Sequence, residues 1–174
     1  MSLQTLPTLL EVLRLRAGPQ DMPADQGVLV FWMGASLLAG LLVAGPVHGV
    51  VASLFLGALD LIVLYIFVMA LLGLNGLTPR WLQTYTALVG VSALLGLVMS
   101  VLVWILPPDL EQAQMSPLAM LAYLGLLVWL LMVFGHILQQ ALQLATRMAG
   151  VAMALAFLIL SSLLTQLALD VVSP

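Results

Sequence analysis

Five apolar runs, at about 28–45, 50–73, 82–106, 117–139 and 148–169, divide the chain, with short polar connections between them. Each is about 18–25 residues long, the length that crosses a hydrocarbon layer ~30 Å thick. The pattern predicts an all-α integral membrane protein, with a five-span transmembrane helix bundle over residues 28–174 behind a cytoplasmic N-terminal segment, 1–27. Turn chemistry marks the boundaries. Gly45-Pro46 is expected to stop the first span, while Thr78-Pro79 and Ser116-Pro117 each read as an N-cap followed by proline in the first helical turn. No proline interrupts the middle of a span, so the broken-helix signature of many transporter sites is missing.

Before the first span, Leu6, Leu9, Leu10 and Leu13 recur at helical spacing. They predict a short amphipathic helix over 8–17, with Thr8 and Glu11 at capping-box distance and Gly18-Pro19 as its stop. Two placements follow: a helix lying in the membrane interface, or a cap over the inner end of the bundle. Arg14 and Arg16 come after the leucines and no cleavage site follows, so a retained segment is expected rather than a signal peptide.

Composition strengthens this picture. The chain is 64% hydrophobic and 6% charged, with a mean hydropathy of +1.24, against about 25% charged residues in soluble domains. The four basic residues are Arg14, Arg16, Arg80 and Arg147, and there is no lysine. They all fall at the N-terminal segment or in the second and fourth connections. Basic residues collect on the cytoplasmic side, which predicts an inside N-terminus, five crossings and an outside C-terminus. A four-span alternative strands an arginine. Trp81 beside Arg80 reads as an interface anchor, and Arg14, Arg16 and Arg147 as further anchors. Asp109 and Glu111 make the third connection acidic. A net charge of −3 argues against nucleic acid. The lack of cysteine excludes thiolate chemistry and disulfides.

Small residues recur every fourth position: Ser36, Gly40 and Ala44; Gly49, Ser53 and Gly57; Ser92, Gly96 and Ser100. Helix association in lipid relies on close van der Waals approach, so these stripes are expected to be helix-packing faces. A tight monomeric bundle is the simplest outcome, and a homo-oligomer face the other.

Asp60 is the one ionisable side chain near mid-membrane, three residues after Gly57 and on the same helix edge. Its insertion costs ~2.5–3.5 kcal/mol, which the surrounding apolar residues outweigh. Ser36, Ser92, Ser161, Ser162, Tyr123 and Trp129 lie at similar depth, and no Lys, Arg or His does. A neutral, hydrogen-bonded acid is therefore expected. It either ties the second span to the first, third or fifth, binds a proton or substrate, or meets a group from another protein. His48 belongs to the first connection, roughly 18 Å from Asp60 along the helix, and His136 lies near the opposite membrane face. No metal site can be assembled from them, and no cofactor is expected. Gln139, Gln140, Gln143 and Arg147 form a polar inner connection, suited to protein or headgroup contact. Hydrolase, zincin and phosphate-loop motifs are missing.

Two stretches, LRLRAGPQDMP (13–23) and RWLQTYTALVGVSALLG (80–96), resemble a group of small, uncharacterised proteobacterial inner-membrane proteins. The five compact spans behind a cytoplasmic segment are also similar to the Yip1-domain layout. The first resemblance implies a bacterial inner membrane, and the second a non-catalytic organiser rather than an enzyme. The expectation is an accessory or scaffold subunit working through lipid and through another membrane protein or complex. The alternative is a small transporter or proton-coupled channel that uses Asp60. A water-filled cavity reaching Asp60 favours the alternative, and a dry packed interior with an exposed apolar groove favours the subunit.

Overall fold

The computed structural model describes residues 5–106 and 116–172, so Asp109 and Glu111 lie outside the described residues. In chain order the helices are α1 (Leu6–Leu13), α2 (Gln26–His48), α3 (Val50–Leu74), α4 (Trp81–Ile105), α5 (Pro117–Ala141) and α6 (Arg147–Val172). The last five are long and apolar enough to cross a membrane. The protein is an all-α bundle of five such helices. In hydrocarbon a backbone must satisfy its own polar groups, and a continuous helix does so within one segment.

Boundary chemistry is partly as expected. Ser116 Oγ accepts from the Ala119 N–H (3.1 Å) and opens α5, and Asp25 Oδ1 accepts from Gly27 N and Val28 N at α2. Pro46 does not stop the first span. It sits within α2, which runs on to His48 and ends at Gly49, where φ is +78°. Pro46 forfeits only the bond its own N–H would give the preceding turn, while the Gly49 N–H still reaches Gly45 O, so the helix runs on and the reversal is left to the glycine. Thr78 is no side-chain cap either. Residues Thr78–Arg80 form a 3-10 turn leading into α4. The Thr8–Glu11 capping box is also absent, because α1 starts earlier, with Pro7 in its first turn.

The long helices pack chiefly in the order α2–α3–α6–α5–α4 and back to α2, closing a ring, with α3 and α4 also touching across it. At one end, which we term the capped end, residues 18–22, the start of α4 and the end of α5 converge. Gln83 Nε2 donates to the Met22 carbonyl (2.8 Å) and Gln20 Nε2 to Gln140 Oε1 (2.7 Å). With the Gln143 amide oxygen turned toward it, Arg80 donates to Gln143 at 2.9 and 3.1 Å. Trp81 is half-buried and meets Tyr65 edge-on at 5.9 Å. Arg147 opens α6 at this same end.

The first helix lies against α4 and α5 rather than over the end of the bundle. It is set into the bundle. Leu9 and Val12 are fully buried, and the Leu9 side chain rests on Gly90, about 14 Å along α4 from Trp81. Trp32 Nε1 of α2 donates to Thr5 Oγ1 (2.9 Å) and Trp129 Nε1 of α5 donates to the Leu13 carbonyl (3.1 Å). The strap thus crosses α2, α4 and α5, and it leaves Arg14 and Arg16 exposed, Arg14 paired with Glu11 at 3.1 Å. Behind it, α4 is buried without interruption from Thr84 to Val91. Toward the far end the helices expose large apolar side chains, including Val51, Trp104, Ile105 and Leu121.

Candidate functional site

Helix packing is tight in the capped half and open beyond it, and the transition creates a cavity of about 400 Å³. Its walls are Ser36, Gly40, Val43 and Ala44 of α2; Gly57 and Asp60 of α3; Ser92, Leu95, Gly96 and Met99 of α4; and Tyr123, Leu126, Leu127 and Leu130 of α5. Asp60 lies about 15 Å along α3 from its far end. Tyr123, Met99 and Ala44 stand nearer that end, so the cavity runs from mid-bundle outward. Tyr123 Oη donates to the Leu106 carbonyl (2.7 Å), pinning the last residue described before the α4–α5 connection to α5.

The same small residues that were expected to be packing faces line this space. Some do both. A side chain at Gly96 would meet Ala39 Cβ at 3.0 Å, and one at Gly57 would meet Leu37 Cδ2 at 3.1 Å, so both glycines allow close approach to α2. Gly40 has nothing within 4 Å of the position its Cβ would take. It leaves room rather than closing a contact. Gly49 belongs to no packing face, being the left-handed hinge between α2 and α3. Ser53 and Ser100 are buried and turn their hydroxyls back to Gly49 O (2.7 Å) and Leu97 O (2.8 Å) on their own helices.

Asp60 receives its hydrogen bond from the fifth span. Ser161 Oγ of α6 donates to Asp60 Oδ1 (2.5 Å). Of the other hydroxyl and indole groups at that depth, Ser162 bonds Ile159 O on its own helix, Trp129 reaches Leu13, and Tyr123 reaches Leu106. Ser36 and Ser92 share the cavity with Asp60. The acid is thus both tied to a neighbouring helix and part of a cavity wall, two roles that sequence reasoning had set against each other. Tyr85 Oη donates to the Leu61 carbonyl (2.8 Å), joining α4 to α3 on the capped side of the cavity.

Among the described residues no cation enters the cavity lining. Arg80 and Arg147 stand at the capped end, and His48 ends α2 at the far end. His136 is buried near the capped end, its Nε2 lying 3.1 Å from Ala17 O and 2.9 Å from Gln140 Nε2. One ring nitrogen donates to the first or accepts from the second, according to tautomer. Among the described residues no three His, Cys, Asp or Glu side chains converge on a metal position. A second cleft, on the α2–α3–α4 surface, is formed by Leu29, Met33, Leu37, Ile62, Tyr65, Trp81 and Tyr85 among others. It has a similar volume but no carboxylate.

The α5 wall of the cavity was not anticipated. Leu126, Leu127 and Leu130 carry no small-residue spacing, and nothing in their run distinguishes a cavity wall from a lipid face. Comparison with protein-family models, curated proteins and solved structures returns no match. Fold and site together define a class of protein: a polytopic helical membrane protein with an intramembrane acid at the wall of a small apolar cavity. What it binds has to be argued from that cavity.

Proposed function

We propose that the protein is a membrane-embedded binding or transport protein for a small, mainly apolar molecule held beside Asp60. The observation that carries this reading is the cavity itself, whose wall includes the chain's mid-membrane acid. Its volume falls in the ~300–1,000 Å³ range of small-molecule sites. An acid within a membrane span is a functional-site candidate by default, because its burial is costly. The apolar cleft by Tyr65 and Trp81 supports a second reading, an accessory subunit that seats another membrane helix there.

Gly40→Leu tests the first reading. The position has open space, so the variant should fold and purify as the parent does, while its side chain fills the cavity. Purified protein should bind the neutral fluorophore N-phenyl-1-naphthylamine saturably, and Gly40→Leu should weaken that binding at least tenfold. Equal affinity in both proteins, or no saturable binding at all, counts against a cavity site and leaves the cleft as the better surface.

The resemblance of residues 13–23 and 80–96 points to a bacterial inner membrane, and the arginine distribution supports an orientation there with the capped end cytoplasmic and the C-terminus periplasmic. A cysteine-free chain makes this simple to check. In intact cells with a permeabilised outer membrane, His48→Cys should react with an impermeant maleimide and Asn75→Cys should not. The reverse pattern inverts the topology.

A further inference from the structure

Resting on the cavity reading above, we infer that the ligand is a lipophilic organic monocation, taken up in exchange for the proton on Asp60. Among the described residues Asp60 is the one carboxyl group lining the cavity, and the described cationic and imidazole side chains stand elsewhere: Arg14 and Arg16 exposed at the end of α1, Arg80 and Arg147 at the capped end, His48 at the far end and His136 against Ala17 and Gln140. A carboxylate in such surroundings needs a counter-charge, which no described side chain supplies and a cationic ligand would. The remaining walls are aliphatic, with hydroxyls at Ser36 and Ser92 and the Tyr123 ring nearer the far end. They match a cation whose charge is shielded by hydrocarbon and that can rest against an aromatic face. A hard metal ion is a poor fit, because it demands about six or more oxygen ligands, whereas no three metal-ligating side chains converge among the described residues. An anion meets no positive group. A neutral ligand gains nothing from the acid beyond a hydrogen bond.

The exchange balances in charge and protons. The protonated Asp60 gives its proton to water, the cation enters, and carboxylate and cation neutralise each other with the Ser161 hydroxyl still donating to Oδ1. Toward Asp60 the neighbouring elements bring the phenols of Tyr85 from α4 and Tyr123 from α5, with Tyr65 on α3 itself, while His48, His136 and Asp170 stand near the helix ends. At its depth α2 brings Ser36, and α6 brings Ser161.

Tetraphenylphosphonium and tetraphenylborate, near-equal in size and opposite in charge, separate the possibilities when measured on the full chain alongside the neutral naphthylamine probe. The phosphonium should displace the probe at least tenfold more strongly than the borate. It should release one proton per ion bound in weak buffer, and bind about tenfold more weakly for each pH unit lowered across the range where the acid carries its proton. Asp60→Asn, which keeps an acceptor for Ser161, should still bind the probe but lose the preference for the phosphonium, and Asp60→Glu should restore it. Probe binding with equal displacement by the two ions overturns the cation inference and leaves the cavity reading standing. Absence of probe binding removes both. Persistent phosphonium preference in Asp60→Asn also overturns the inference, because the selectivity then lies elsewhere.

Discussion

Replacing Gly150 by leucine is expected to abolish the folded protein. A side chain at this position would place its Cβ against the Gly135 carbonyl and 3.0 Å from Gln139 Cβ. Seen from the other helix, a Cβ on Gly135 would meet Val151 Cα and N at 2.8 Å. These obstacles are backbone, so no rotamer change relieves them. Overpacking costs about 1–3 kcal/mol where side chains can yield, and this crossing should exceed ~3 kcal/mol because a whole helix has to move. The displaced helix is α6, which also brings Ser161 to Asp60, so the damage extends to the cavity wall. Size-exclusion chromatography of a fluorescent fusion should show loss of the monodisperse peak. Gly125→Leu supplies the control, because it lies on the same helix as Gly135 with nothing within 4 Å. Equal peaks for the two variants would show that the α5–α6 crossing is not as close as described.

That crossing shows what small-residue spacing reveals and what it conceals. The stripes in the first three spans were legible because each repeats every fourth residue, yet their partners were not. Gly96 meets Ala39 and Gly57 meets Leu37, while Gly40 meets nothing. The tightest approach falls at two glycines on different helices, and pairing across helices depends on tertiary geometry that no single-helix period encodes. Gly150 and the fully buried Ala154 do form a small pair at the same spacing, a signal available in the sequence. Gly135 has no small partner four residues away on either side.

The five long helices were legible to within about three residues at either end, because hydrocarbon thickness and hydropathy set them jointly. Caps were less so, since Pro46 and Thr78 lie one turn from where the reversals occur. Asp60 stood out as a lone acid in an apolar run, and Ser161 was among its possible partners. The choice of Ser161 depends on the ring order that sets α6 beside α3. The cavity was not legible at all. Small residues at helical spacing describe equally well a surface that touches its neighbour and one that stands back from it.

The second large effect concerns the strap. Leu9→Asp is expected to release α1 from its seat, because the Leu9 side chain is fully buried and rests on Gly90. An unpaired carboxylate there has no cation within its own turn, the ion pair of Glu11 with Arg14 lying on the half-exposed side. Removing a buried leucine costs about 2–5 kcal/mol, and burying a lone charge adds to that, so the helix should leave rather than accept it. Since α1 has few polar ties, chiefly Trp32 to Thr5 and Trp129 to Leu13, departure need not unfold the ring. A single cysteine at Thr8 reports the event: maleimide labelling in detergent should be slow in the parent and at least tenfold faster with Leu9→Asp. Leu9→Met, which conserves volume, should label at the parent rate. If α1 instead rested in the membrane interface, all three proteins would label alike. The outcome therefore decides whether the N-terminal segment is a lipid anchor or part of the bundle's core. The structure favours the core, because Leu9 and Val12 are fully buried and Leu9 covers Gly90 in the capped half of α4.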